Sequence, residues 1–282
     1  MLYFHADVFC KQPMTGNGLT VFVANTFPQH ETMQRMAQEF RQFETIFLVQ
    51  RAQNVFDARI FTVEEELDFA GHPILGAAAV VQQEFLKHSC GIIFNLNSKQ
   101  VSVTCTQRGA AYHSCMDQGQ AEFVRSLGPE LYPQFLPALN LNESHVSARF
   151  PLQVVSTGLP YLLVPVTSGL ELARIGAANY ESQLAQIGAK FVYVFDVATV
   201  EGRTWDNSGQ VEDVATGSAA GPVGAYLYRH GRFAQHELIT LRQGRFVGRD
   251  SEIGICKDAA TGNMLVSGEV HILVRGTLAQ MP

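Results

Sequence analysis

Apolar and polar residues alternate through LYFHADVF, Leu2 to Phe9, and a period of two predicts a strand. Pro13 to Gly18 carries turn residues, and LTVFVAN resumes the β pattern, so the chain is expected to open as a hairpin. The period then changes. In HETMQRMAQEFRQFE, Met33, Met36, Ala37 and Phe40 recur at helical spacing, with Thr32 placed to cap the start, and this amphipathic helix runs into a strand, TIFLV. Asp57 to Thr62, DARIFT, predicts another strand, and EEELDFAGHP leads into a helix over PILGAAAVVQQEFL with Pro73 in its first turn. That helix is small and apolar round most of its circumference for two turns, and a helix with no wet face must be wrapped by other structure. Pro222 to Tyr228, within SAAGPVGAYLYRHG, predicts a second helix of the same kind, stopped by Gly231.

One such helix in each half implies one core in each half. The halves also resemble each other: TGNGLTVFV at Thr15 to Val23 matches STGLPYLLV at Ser156 to Val164, and AGHPILGAA matches TGSAAGPVGA. Gly16 against Gly158 and Gly71 against Gly217 are offset by nearly the same number of residues, which favours a diverged internal duplication over chance similarity of glycine turns. The Pro-rich stretch SLGPELYPQFLPALNL, Ser126 to Leu141, is the natural division. The expected domains are 1–125 and 126–282, with about the last 15 residues returning to the first.

Composition narrows the class of function. With 46% hydrophobic and 16% charged residues the chain can bury a large core, and disorder is excluded. A formal net charge of -6 without a Lys/Arg cluster argues against nucleic acid and for a small-molecule partner. The five cysteines, Cys10, Cys90, Cys105, Cys115 and Cys256, are scattered without CxxC spacing, so neither a disulfide framework nor a zinc site is suggested and free thiols in a reducing cytoplasm are expected. The sequence has neither a signal peptide pattern nor an apolar run of membrane-spanning length, so a cytoplasmic protein without membrane attachment is expected.

The candidate chemistry lies in VEDVATGSAAGPVGAYLYRHG and its counterpart. The first N–H groups of a helix have no partner inside it, and the helix dipole adds partial positive charge there, so Gly71-His72 and Gly217-Ser218 read as anion cradles suited to a carboxylate. The alternative is that both glycines only permit tight turns. Neither turn is a phosphate loop: GxxxxGK[ST] is absent and no GxGxxG opens a helix. Asp213 and His72 stand beside these turns, as catalytic groups or as a solvated turn residue and a structural histidine. Glu44, in QFETIFLV, sits where a helix gives way to an apolar strand; a carboxyl losing water there becomes able to take and return a proton near neutrality, or it merely ends the helix.

TGNGLTVFVA, EFRQFETIFLV, ARIFTVEEELDFAGHPILGAA and VEDVATGSAAGPVGAYL, in that order, resemble the phenazine-biosynthesis PhzF-like isomerase family over nearly the whole chain. The resemblance implies an α+β fold shared with diaminopimelate epimerase: two pseudo-symmetric lobes, each a curved, barrel-like mixed β-sheet wrapped around a central apolar helix. In the best-known branch the reaction is isomerisation of trans-2,3-dihydro-3-hydroxyanthranilate with no metal or organic cofactor. Carried onto this chain, the proton-shuttling glutamate is Glu44, its supporting residues are His72, Asp213 and Ser218, and backbone amides at Gly71 and Gly217 help hold the substrate carboxylate. These residues are expected to converge on one cleft, and a homodimer is an assembly that relatives commonly form. Val63, Asp68 and Ile74, and Trp205, Asp206 and Asn207, depart from the family's usual residues, which leaves the acid unnamed.

Two rivals stand beside this reading. A two-base racemase or epimerase on the same fold needs opposed bases, and the resemblance places its cysteines at Ala70 and Thr216, neither of which is cysteine. A non-catalytic carboxylate-binding or partner-binding protein would keep the scaffold without the reaction.

Overall fold

The opening hairpin forms: β1 (Leu2–Val8) and β2 (Asn17–Ala24) are antiparallel, with Leu2 opposite Val23 and Val8 opposite Asn17. The computed structural model describes residues 1–86 and 91–280, so Cys90 lies outside the described residues. The chain divides into two compact units, Met1–Asp117 with the residues from Ser267 onward, and Gln118–Val266.

In the first unit, α1 (His30–Phe40) begins before Thr32, so this threonine lies within the helix and caps nothing; Gln29 takes the N-cap position without a side-chain bond. The helix ends earlier than its pattern predicts because Arg41 turns left-handed (φ 50°) and closes it with an N–H bond to the Ala37 carbonyl. Its Met33, Met36 and Ala37 pack on Phe22, Phe47 and Phe61. β3 (Glu44–Ala52) runs parallel to β2, and β4 (Val55–Phe61) turns back antiparallel, with β5 (Glu66–Leu67) beside it. Next come α2 (Gly71–Phe85), β6 (Gly91–Asn95) parallel to β4, β7 (Gln100–Arg108) and β8 (Ala111–Asp117), the last three joined antiparallel in sequence.

Helix α2 is buried from Gly71 to Gln82 against β1, β2, β3, β7 and β8, as its all-round apolar surface requires. Gly76 makes the close approach possible: a Cβ there would lie 2.4 Å from Leu19 Cδ2.

The second unit repeats this grammar. β9 (Glu122–Ser126) pairs with β10 (Gln153–Ser156), so the division between units falls before Gln118 rather than at residue 126. The Pro-rich stretch between them is not a linker: it includes the short helix α3 (Tyr132–Phe135) and sends Leu127, Tyr132, Phe135, Leu136 and Leu139 into the unit's core. β11 (Pro160–Val166) is antiparallel to β10; after α4 (Tyr180–Ala185), β12 (Phe191–Asp196) is parallel to β11 and β13 (Glu201–Arg203) antiparallel to β12. α5 (Gly217–Arg229) precedes β14 (Ile239–Gln243), parallel to β13, and β15 (Ser251–Lys257), antiparallel to β14. The succession antiparallel, parallel, antiparallel, parallel, antiparallel thus runs through β10 to β15 as it does through β1 to β4 and on to β7.

α5 starts at Gly217, the glycine turn expected at a helix mouth, extends beyond the apolar run Pro222 to Tyr228 and holds Pro222 in its interior. Proline there forfeits one helical hydrogen bond, a loss of about 3 kcal/mol that packing against β10, β11 and β15 offsets. Gly224 is the close-approach residue, since a Cβ would lie 2.4 Å from Ile255 Cγ2. Gly231, left-handed at φ 66°, follows the C-cap His230 as predicted.

β16 (Met264–Thr277) crosses from the second unit into the first. It lies beside β8 and pairs antiparallel with β1, Val8 opposite Val270 and Leu2 opposite Thr277, which closes eight strands into a barrel around α2. The fold is a mixed α+β arrangement of that barrel and further strands, rich in strand and poor in helix. Among the described residues no helix is long and apolar enough to cross a membrane.

Candidate functional site

Gly71 and Gly217 are the first residues of α2 and α5, so both glycine turns are helix openings as the sequence comparison expected. Each opening carries its own polar cluster.

At the opening of α2, Glu44 is the first residue of β3, opposite Leu19 of β2, and Gly76 packs α2 against that same Leu19. The geometry brings Glu44 Oε2 to 3.1 Å from His72 Nε2, with the glutamate side chain 18% and the histidine side chain 6% exposed. His72 Nδ1 lies 3.5 Å from Nδ2 of buried Asn17. Burial pushes the His72 pKa down to about 3, with a hydrogen bond to the Gly18 backbone working the other way. The ring is therefore neutral near pH 7 and carries one proton for two nitrogens. The 3.1 Å separation sets this neutral ring against the Glu44 carboxyl, although the pair lacks the alignment of a hydrogen bond.

At the opening of α5, the approach to Asp213 is fixed by a buried fork: Arg203 donates to both Glu212 oxygens at 2.9 and 2.6 Å and also to the Leu170 and Glu171 carbonyls. The unusual residues just before it are structural. Trp205 is in the core, the Asp206 carboxylate accepts from the Val211 N–H, and Asn207 donates to the Lys190 carbonyl. Asp213 Oδ2 accepts from Thr216 Oγ1 at 2.5 Å. Ser218 Oγ lies 2.7 Å from Tyr161 Oη. Ala219 and Ala220 both donate to the Thr216 carbonyl, and among the described residues no acceptor takes the amides of Gly217 and Ser218. Gln118, from the start of the second unit, donates to the Gly217 carbonyl at 2.8 Å.

The structure therefore joins Glu44 to His72, and sets Asp213 and Ser218 at one helix opening, each through a partner that sequence reading passed over. Asn17 sits in TGNG, read there as a turn, and it begins β2 instead. Thr216 precedes the flagged glycine, and Tyr161 lies in STGLPYLLV, which was read only as part of the repeat.

Among the described residues no group of three or more His, Cys, Asp or Glu side chains is placed to hold a metal ion. Cys10, Cys105, Cys115 and Cys256 are thiols rather than disulfide partners, and burial pushes the Cys105 thiol up to about 11, which makes it a poor nucleophile.

Comparison with known proteins matches residues 6–276 to the family described as phenazine biosynthesis-like protein, PhzC-PhzF. A curated relative, trans-2,3-dihydro-3-hydroxyanthranilate isomerase of Pseudomonas chlororaphis, is 32% identical over 265 residues, covering 88% of this chain and 87% of the relative. Among solved structures, a predicted epimerase from Pseudomonas aeruginosa superposes with a TM-score of 0.93 at 44% identity over 99% of each chain. A probable proline racemase from Agrobacterium radiobacter K84 shares the fold at 13% identity, with a TM-score of 0.61 over 99% of this chain and 92% of that one. The motif order, the eight-stranded barrel and these matches agree: the chain belongs to the PhzC-PhzF, phenazine biosynthesis-like family and is a PhzF-like isomerase.

Proposed function

We propose that the chain moves a proton between two carbons of a small cyclic or conjugated carboxylic acid, with Glu44 as the general acid and base. The observation that carries this reading is the 3.1 Å contact between Glu44 and a neutral, buried His72. A base that removes a proton from carbon must keep it, shielded from water, until it is returned. A half-buried carboxylate against an imidazole that stays neutral can do that. In this reading Asp213 and Ser218 orient the acid, and the amides at Gly71 and Gly217, with His72, hold its carboxylate. The repeated strand succession supports descent of the two units from one duplicated lobe.

The substrate of the Pseudomonas chlororaphis relative, trans-2,3-dihydro-3-hydroxyanthranilate, is the first acid to try. The chain is incubated with it and with a panel of cyclic and aromatic-like carboxylic acids in deuterated water, and NMR follows isomerisation and deuterium uptake. Uptake at carbon that disappears in Glu44→Gln supports the proposal. Binding without uptake across the panel favours a non-catalytic carboxylate-binding protein. The second reading, two-base epimerisation, takes its interest from the name of the Pseudomonas aeruginosa neighbour. Ala70 offers no base, and the Thr216 hydroxyl is committed to Asp213. Chiral analysis of the product separates the two reactions.

A further inference from the structure

We infer that Gln243, at the end of β14, is a positioning residue for the α5 opening: it turns the Thr216 hydroxyl onto Asp213 and so sets the Asp213 carboxylate. The inference rests on the proposed reaction only for the statement that Asp213 meets substrate.

Gln243 is 1% exposed and uses its whole hydrogen-bonding capacity. Its Nε2 donates to the Asp213 carbonyl at 2.8 Å and to Thr216 Oγ1 at 2.9 Å. Its Oε1 accepts from the Thr216 N–H at 3.1 Å and from Tyr193 Oη at 2.8 Å. Two donors and two acceptors on one planar group are what an amide supplies and a carboxylate, which cannot donate, does not. Four bonds in a buried site leave the side chain one orientation, because turning it over would set its oxygen against the Asp213 carbonyl and its NH₂ against the Thr216 N–H.

The consequence appears at Thr216. It occupies the N-cap of α5, where a threonine oxygen ordinarily accepts from an amide of the first turn, yet it makes no such bond. One lone pair takes the Gln243 amide, and the hydroxyl proton goes to Asp213 Oδ2. A hydroxyl that accepts from Gln243 is thereby aimed as a donor at Asp213, and the α5 amides are left without a side-chain cap. Tyr193 of β12 is a titratable group that faces this network, with Tyr161 and Glu201 close enough to act on it electrostatically. Burial first, and the Asp213 charge second, raise its phenol well above the ordinary range, so it stays protonated and always donates to Gln243. Gly202 of β13 leaves room for it: a Cβ there would lie 2.2 Å from the Tyr193 ring.

The test follows the Asp213 carboxyl carbon by NMR in the full chain carrying ¹³C-labelled aspartate, the resonance being assigned by its loss in Asp213→Asn. Thr216→Val keeps the side-chain shape and removes the donor, and the Asp213 titration midpoint is expected to rise by about one pH unit. Thr216→Ser is expected to restore it, which a merely structural role would not require. Gln243→Leu, with Thr216 intact, is expected to raise the midpoint as well; if this variant does not fold, the Thr216 pair carries the test. An Asp213 midpoint unchanged in Thr216→Val, or in a folded Gln243→Leu, overturns the inference. If the midpoints move as expected but deuterium uptake by substrate does not change, Gln243 positions Asp213 and it is the assignment of Asp213 to the reaction that fails.

Discussion

At the opening of α2 a carboxylate, Glu44, meets an imidazole, His72, at 3.1 Å; at the opening of α5 a carboxylate, Asp213, meets a hydroxyl, Thr216, that is tied to a saturated amide, Gln243. Both openings begin with a glycine on a helix buried inside its own unit. Beyond that they differ in what can titrate. The imidazole is a titratable partner, whereas hydroxyl and amide keep their protons near neutrality. In the proposed reaction the first opening changes protonation state and the second holds one arrangement. The two openings thus share a leading glycine and differ in the residues that partner their carboxylates.

The sharpest way to break this contrast is Glu44→Gln. It preserves size and hydrogen bonding but cannot carry a proton between carbons, so deuterium uptake by substrate is expected to fall about 10²–10⁴-fold, or roughly 3–5 kcal/mol of barrier, while carboxylate binding survives. Uptake at the unmodified rate in a folded variant removes Glu44 as the shuttle.

The next effect is on acid stability, and only the first opening shows it. The His72 pKa is about 3 in the folded chain against an ordinary 6.5. Above pH 6.5 neither state is protonated and the ring adds no pH dependence. As pH falls below 6.5 the unfolded chain takes up a proton that the folded chain refuses, and stability drops by up to about 1.4 kcal/mol per pH unit. Urea unfolding between about pH 7.5 and about pH 5 is expected to show a loss of about 2 kcal/mol that His72→Gln abolishes. Equal losses in both proteins would mean that the ring is already charged when folded.

Smaller still, and symmetrical, is the effect of filling the close-approach positions. Gly76→Ala and Gly224→Ala each press a Cβ to 2.4 Å from a side-chain methyl of a neighbouring strand. Each is expected to cost about 1–2 kcal/mol in chemical denaturation, after the gain of about 1 kcal/mol that alanine brings to a helix. A loss at one position and a gain at the other would show that the two helices are not seated alike. The smallest change expected is that of Tyr161→Phe, which removes the 2.7 Å bond to Ser218 and is expected to lower stability by about 0.5–1.5 kcal/mol, with carboxylate affinity measured by calorimetry falling a few-fold.

Legibility from sequence followed the range of the interaction. The α2 helix and the glycine stop after α5 were readable because an all-round apolar run and a glycine at a helix end report local physics. The glycine turn at Gly217 was readable as a helix opening, but the apolar helical run was readable only from Pro222, because GSAAGP carries two glycines and a proline, a poor helix by propensity, which only its burial among strands sustains. Thr32 failed as a cap for a related reason: the helix began a turn earlier, where Met33, Met36 and Ala37 could all reach the Phe22 cluster.

Residue types and their order, by themselves, determined the family, the pairing of two wrapped helices and the glycines that open them, since each depends on neighbours a few positions away. Only the tertiary structure decided that Asn17 stands beside His72 and that Gln243 closes on Asp213 and Thr216. The physical reason is register. Strands β2 and β3 must align Leu19 with Glu44, and β13 and β14 must align Glu201 with Arg242, before these side chains come within a hydrogen bond of their partners. Register across a sheet is set by all the strands that close it, not by the few residues that do the chemistry.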